Sequence, residues 1–108
     1  MLRVYEDALE VVRGTVGIVR EIERHDADLG KQLKRARSSV ALNISEGSFA
    51  QGGRRAVHYG YAKGSAQESI AILETAQASG YVARVPEDVI ERLRKIIGTL
   101  SKCTPGKR

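Results

Sequence analysis

The sequence predicts an all-α protein, folded as an antiparallel up-down four-helix bundle. Three observations lead there. Apolar residues recur at three- and four-residue steps in four separate segments. The links between those segments are short and marked by Asp, Gly or Pro. The chain of 108 residues suits about one small domain, and neither an internal repeat nor a domain boundary interrupts it.

The first helix is expected over residues 4–24, where Tyr5, Ala8, Leu9, Val12, Val16, Val19 and Ile22 keep helical phase. Its middle, VVRGTVGIVR, is rich in β-branched residues and Gly, which alone would suit a strand. The charged flanks hold helical phase on both sides and decide for helix. HDAD then reads as a polar turn, with Asp26 or Asp28 as the N-cap of the next element.

The second helix is expected over 29–46, with Leu29, Leu33, Ala36, Val40 and Ile44 in one apolar stripe. Gly47 fits a C-terminal cap and SFAQGG a loop. The third is expected over 54–79. There Ala56, Gly60 and Gly64 stack small residues on one face. A helical Gly costs about 1 kcal/mol relative to Ala, so two on one face predict close approach of another backbone. Gly80 suits the position just past the helix end. Pro86, Glu87 and Asp88 suit the opening turn of a fourth helix over 86–101, which carries Val89, Leu93, Ile96, Ile97 and Leu100. Residues 102–108 read as a polar tail.

Composition narrows the function classes. Aromatics are scarce, with four Tyr, one Phe and no Trp. A thin aliphatic core of this kind is completed well by another copy of itself. At roughly 100° per residue Leu42 lies nearly opposite the stripe through Leu33 and Val40, which suits either a second apolar contact in an oligomer or a single exposed Leu of an ordinary kind. Cys103, the single cysteine, makes no internal disulfide and no metal cluster. The N-terminal MLRVYEDALE has acids where a signal peptide needs an apolar run, and no segment approaches the ~20 apolar residues of a membrane span. A soluble cytoplasmic protein without a membrane partner is expected.

The net charge of +5 is unevenly spread. Residues 29–65 hold seven basic side chains against the single acid Glu46, and 92–108 hold six basic and none acidic. The stretches 1–28 and 66–91 are net acidic. Lys31, Lys34, Arg35 and Arg37 of KQLKRAR, with Arg54 and Arg55 opening the third helix nearby, are the candidate phosphate contacts. A solubilising face explains the same residues equally well. No recognition-helix, zinc-finger or RNA-binding aromatic motif is present, so sequence-specific readout has no support. His58, Tyr59 and Tyr61 form HYGY, which could stack on bases but more simply packs inside a bundle. His25 and His58 lack metal-ligand spacing. KGS at 63–65 reverses the order of a phosphate-binding loop, so neither nucleotide nor metal cofactor is expected.

Polar residues interrupt the second helix. Ser39, Asn43 and Glu46 share a flank beside the apolar stripe, and Gly64, Ser65 and Glu68 offer a matching set on the third helix. A catalytic reading would make Glu46 and Glu68 a paired acid and base. Nothing completes such a site. The structural reading, a polar network that fixes helix register, is preferred.

QLKRARSSVALNISEG followed by AKGSAQES resembles the bacterial four-helix-bundle proteins encoded in intervening sequences of 23S ribosomal RNA genes. The resemblance spans Leu29 to Gly80 and rests on the Ser39–Asn43–Glu46–Gly47 spacing plus Gly64-Ser65. Residues around Val57, His58 and Tyr59 stand where the family pattern has an aromatic pair. The resemblance implies a homopentameric ring and no enzymatic activity. Distant relatives with this fold, accessory proteins of diversity-generating retroelements, bind a reverse transcriptase and nucleic acid. A non-enzymatic oligomer that binds RNA or DNA through its basic surface is the first expectation, and a protein-binding scaffold the second.

Overall fold

The computed structural model describes residues 2–104, Leu2 by its backbone alone. The last part of the expected tail, 105–108, lies outside the described residues. The protein is all-α, with five helices among the described residues: α1 Leu2–Gly14, α2 Val16–His25, α3 Ala27–Phe49, α4 Gly52–Ala78 and α5 Glu87–Ser101. No strand occurs among the described residues. α3 is the hub and packs on α1, α2 and most extensively on α4, while α5 lies against α4 and α1. The predicted stripes meet in one core, where Ile22, Leu33, Ile44, Leu73, Leu93, Ile96 and Leu100 are fully buried.

The first expected helix is two helices. The break is at Thr15, whose backbone leaves helical geometry (φ −109°, ψ 2°). Its buried hydroxyl donates to Val11 O at 2.7 Å and Val12 O at 3.2 Å. A Thr side chain that bonds back one turn competes with the helical ladder and bends it. The second cause comes from α3. Arg37, expected on the phosphate-contacting surface, is only 8% exposed. Its Nη1 donates to Thr15 Oγ1 at 2.8 Å and to Val12 O at 3.2 Å, so it supplies donors to the oxygens that the break leaves open. Burial holds the Arg37 guanidinium below its ordinary pKa, partly offset by the nearby Glu23 carboxylate.

Asp26 ends α2 and caps α3, accepting from Leu29 N at 2.9 Å, as the sequence suggested. The C-terminus of α3 departs from expectation. Gly47 is not its cap: the helix runs on to Phe49. Gly47 is instead buried against α4, where a Cβ would come within 2.5 Å of the Tyr59 ring. Arg55 closes the end, its Nε donating to Gly47 O at 3.2 Å and Ala50 O at 3.1 Å. Gly80 does cap α4, in the left-handed region (φ 78°), with Gly80 N on Gln77 O and Tyr81 N on Ala76 O. The link that follows is pinned. Tyr81 stacks on His25 with ring centroids 5.3 Å apart, and Val82 is buried.

The glycines of α4 also differ from expectation. A Cβ on Gly60 or Gly64 would meet nothing within 4 Å, so among the described residues no backbone of another element approaches them closely. Gly47→Ala should therefore destabilise the protein by about 1 to 3 kcal/mol, because the added methyl must displace the Tyr59 ring. Gly64→Ala should be neutral or stabilising by up to about 1 kcal/mol, from helix propensity alone. Chemical denaturation of both variants measures the contrast, and the reverse order would contradict this packing.

Candidate functional site on the outer face of α3 and α4

α3 and α4 run antiparallel, and their register is read from a row of polar contacts. Ser65 Oγ donates to Ser39 Oγ at 2.9 Å. Asn43 Nδ2 donates to Ser39 O at 3.0 Å and Ser39 Oγ at 2.9 Å. That leaves Asn43 Oδ1 as an acceptor for His58 Nδ1, 3.3 Å away. Ser69 Oγ returns to Ser65 O at 2.9 Å. Gly47 against Tyr59 finishes the row. Burial pushes the Tyr59 phenol up, opposed by the charge of Arg55.

Of the predicted network, Ser39, Asn43 and Ser65 come together. Glu46, Gly64 and Glu68 do not: all three are exposed and point away from the seam. His58 takes the place assigned to the carboxylates. Its position one helical turn before Ala62 on the seam side was the available signal. Glu46 and Glu68 lie roughly 15 Å apart along the helix axis, given this register and 1.5 Å per residue. They cannot share a proton or flank one substrate bond. Among the described residues, no group of three or more His, Cys, Asp or Glu side chains is placed to hold a metal ion. No helix of the described residues is long and apolar enough to cross a membrane.

The basic candidates separate. Lys31, Lys34 and Arg35 are exposed at the first turns of α3, and none enters an ion pair among the described residues. Arg37 is buried and committed to Thr15. Arg54 is exposed but Arg55 caps α3, and both lie at the far end of the hairpin. From Arg35 to Phe49 is about 21 Å of helix, so the expected proximity of Arg54 and Arg55 to KQLKRAR does not hold.

The outer face carries a second feature. Leu42 is 66% exposed, Phe49 88%, Val57 50% and Tyr61 61%. On α3, Lys31, Arg35, Leu42 and Phe49 fall within about 40° of one line at 100° per residue. On α4, Val57, Tyr61, Gly64 and Glu68 do the same. Two helices thus present their outer stripes side by side, apolar at the α3–α4 turn and charged at the other end. A shallow depression of about 640 Å³, lined by Gln51, Gly53, Arg54, Val57, His58 and Tyr61, occupies the apolar end. Tyr61 stands edge-on to His58, with ring centroids 6.3 Å apart. Sequence reading found Leu42 but missed Phe49, which it placed in a loop.

The model of the family described as "23S rRNA-intervening sequence protein" matches residues 1–104. No curated protein and no solved structure matches the chain.

Asn43→Ala should lower stability by about 1 kcal/mol, since His58 Nδ1 and Ser39 Oγ lose a half-buried partner. Glu46→Gln and Glu68→Gln should each change the stability of the folded chain by less than about 0.5 kcal/mol. Urea unfolding followed by circular dichroism checks all three.

Proposed function

Because the chain belongs to the family of 23S rRNA-intervening sequence proteins, we propose that it acts as a non-enzymatic accessory protein that assembles with copies of itself through the outer face of α3 and α4. One observation carries this reading. Leu42, Phe49, Val57 and Tyr61 are large apolar side chains on the outer stripes of α3 and α4 that the described residues leave exposed, while the core is small and aliphatic. Surfaces of this kind mark association sites. With α1 and α2 taken as one arm bent at Thr15, the fold is an up-down four-helix bundle. The resemblance to ring-forming proteins supports five copies.

The test is the mass of the assembled protein, by light scattering coupled to size exclusion. A homopentamer of 11.8 kDa subunits is expected. Leu42→Glu combined with Tyr61→Glu should yield a monomer of unchanged helicity, because both side chains are already exposed in the single chain. A wild-type monomer at micromolar concentration would overturn the reading.

A second role rests on Lys31, Lys34 and Arg35, which are exposed within the first turns of α3 and enter no ion pair among the described residues. They suit the phosphate backbone of RNA or DNA, and a ring would repeat them so that weak contacts add. Binding should tolerate any sequence. Log affinity should fall linearly with log salt, at roughly −0.9 per contact on duplex DNA and −0.7 on single strands. Lys31→Glu with Lys34→Glu should weaken binding evenly across sequences and flatten that slope. Fluorescence anisotropy with a mixed RNA and a mixed duplex measures both. No binding at low salt by assembled protein would leave a protein-binding scaffold, for instance a partner of a reverse transcriptase, as the function.

A further inference from the structure

A surface that meets its own copy about a two-fold axis closes a dimer, whereas a ring needs two different surfaces that fit each other. The outer face of this protein contains two. Along α3 the stripe begins basic, at Lys31 and Arg35, and becomes apolar, at Leu42 and Phe49. Along α4 it begins apolar, at Val57 and Tyr61, and becomes acidic at Glu68. The helices are antiparallel, so residues of like height are complementary. Ser39 is level with Ser65 and Asn43 with His58. One turn onward from the first pair, Arg35 is level with Glu68 to within a residue. Leu42, between the two pairs, is level with Tyr61.

Pairings that lay like helix on like helix do not use this pattern. α4 against α4, aligned in parallel, sets Glu68 on Glu68. The antiparallel alternative about Gly64 lays Glu68 on Gly60 and the apolar half. α3 against α3 sets Arg35 on Arg35 or on Leu42. A rotation about an axis along the helices behaves differently, since it keeps every residue at its own height. It brings α3 of one copy onto α4 of the next with charge on opposite charge and apolar on apolar.

Resting on the self-association reading, we infer that the contact between copies sets α3 of one copy against α4 of its neighbour, with Arg35 pairing the neighbour's Glu68 and Leu42 covering the neighbour's Tyr61. Three further facts fit. Arg35 and Glu68 are both exposed, and neither has an ion-pair partner among the described residues. Gly60 and Gly64 flank Tyr61 with open space above them. Arg35 is spent on this contact, which leaves Lys31 and Lys34 for phosphate.

The test exploits pairing across chains. Arg35→Glu and Glu68→Arg, each on the surface, should keep wild-type helicity by circular dichroism. Each should raise the concentration at which half the protein is assembled by about tenfold or more, because like charges face each other at every contact. An equimolar mixture of the two single variants should recover most of the assembly. Contacts between unlike copies restore opposite charges across positions 35 and 68, whichever copy supplies α3, and contacts between like copies do not. Light scattering over a dilution series reads both effects. Single variants that assemble like wild type, or a mixture no better than its components, would overturn the α3–α4 contact and leave self-association standing. A monomeric wild type is the separate result that removes self-association itself.

Discussion

The close approach of α3 and α4 sets the rest of the structure. It is possible because position 47 has no side chain, so the Tyr59 ring lies directly on the α3 backbone. A glycine in a helix interior costs stability, and here the return is burial of an aromatic ring that is only 3% exposed. With the helices this near, Ser39, Asn43, Ser65 and His58 reach one another along the seam. A row of hydrogen bonds tolerates no slip by a residue, whereas aliphatic packing tolerates some. The register decides which side chains are level across the hairpin. It also turns Leu42, Phe49, Val57 and Tyr61 outward together, so the stability of the pair and the exposed face have one origin.

A different constraint shapes the N-terminal arm. α1 packs on α3 and α5, and α2 on α3. Thr15 supplies the bend and Arg37 its support. The buried guanidinium is held by its Nη1, which donates to a carbonyl and a hydroxyl oxygen, and by the favourable charge of Glu23, while its buried Nε has no hydrogen-bond partner among the described residues. Asp7 plays a similar part at the α1–α5 contact, where Arg92 lies 2.8 Å from its carboxylate and Lys95 3.7 Å.

Much of this was legible in the sequence. Apolar spacing located the helical segments, and two of the end signals, Asp26 and Gly80, act as read, because each works through its own backbone neighbours. The misreadings have a common physical source. Helical phase continues unbroken through Thr15, so periodicity hides a bend made by side-chain bonding. Gly47 fits a cap and a close approach equally well, and only Tyr59, twelve positions on, decides between them. Arg37 sits four residues after Leu33 on the buried side, a signal that its charge concealed. The carboxylates Glu46 and Glu68 matched the seam by spacing, yet their angular positions face outward. At the candidate site, Leu42 was legible as an outlier. Its companions became visible only once α3 was seen to extend to Phe49.

On the self-association proposed above, the face left open by the α3–α4 register is the one that copies of the chain cover. Hydroxyl-radical footprinting at high and at low protein concentration measures this directly, residue by residue. Leu42, Phe49 and Tyr61 should be protected in concentrated protein and reactive on dilution, while exposed Cys103 reacts at both. Equal reactivity of these residues at every concentration would contradict it.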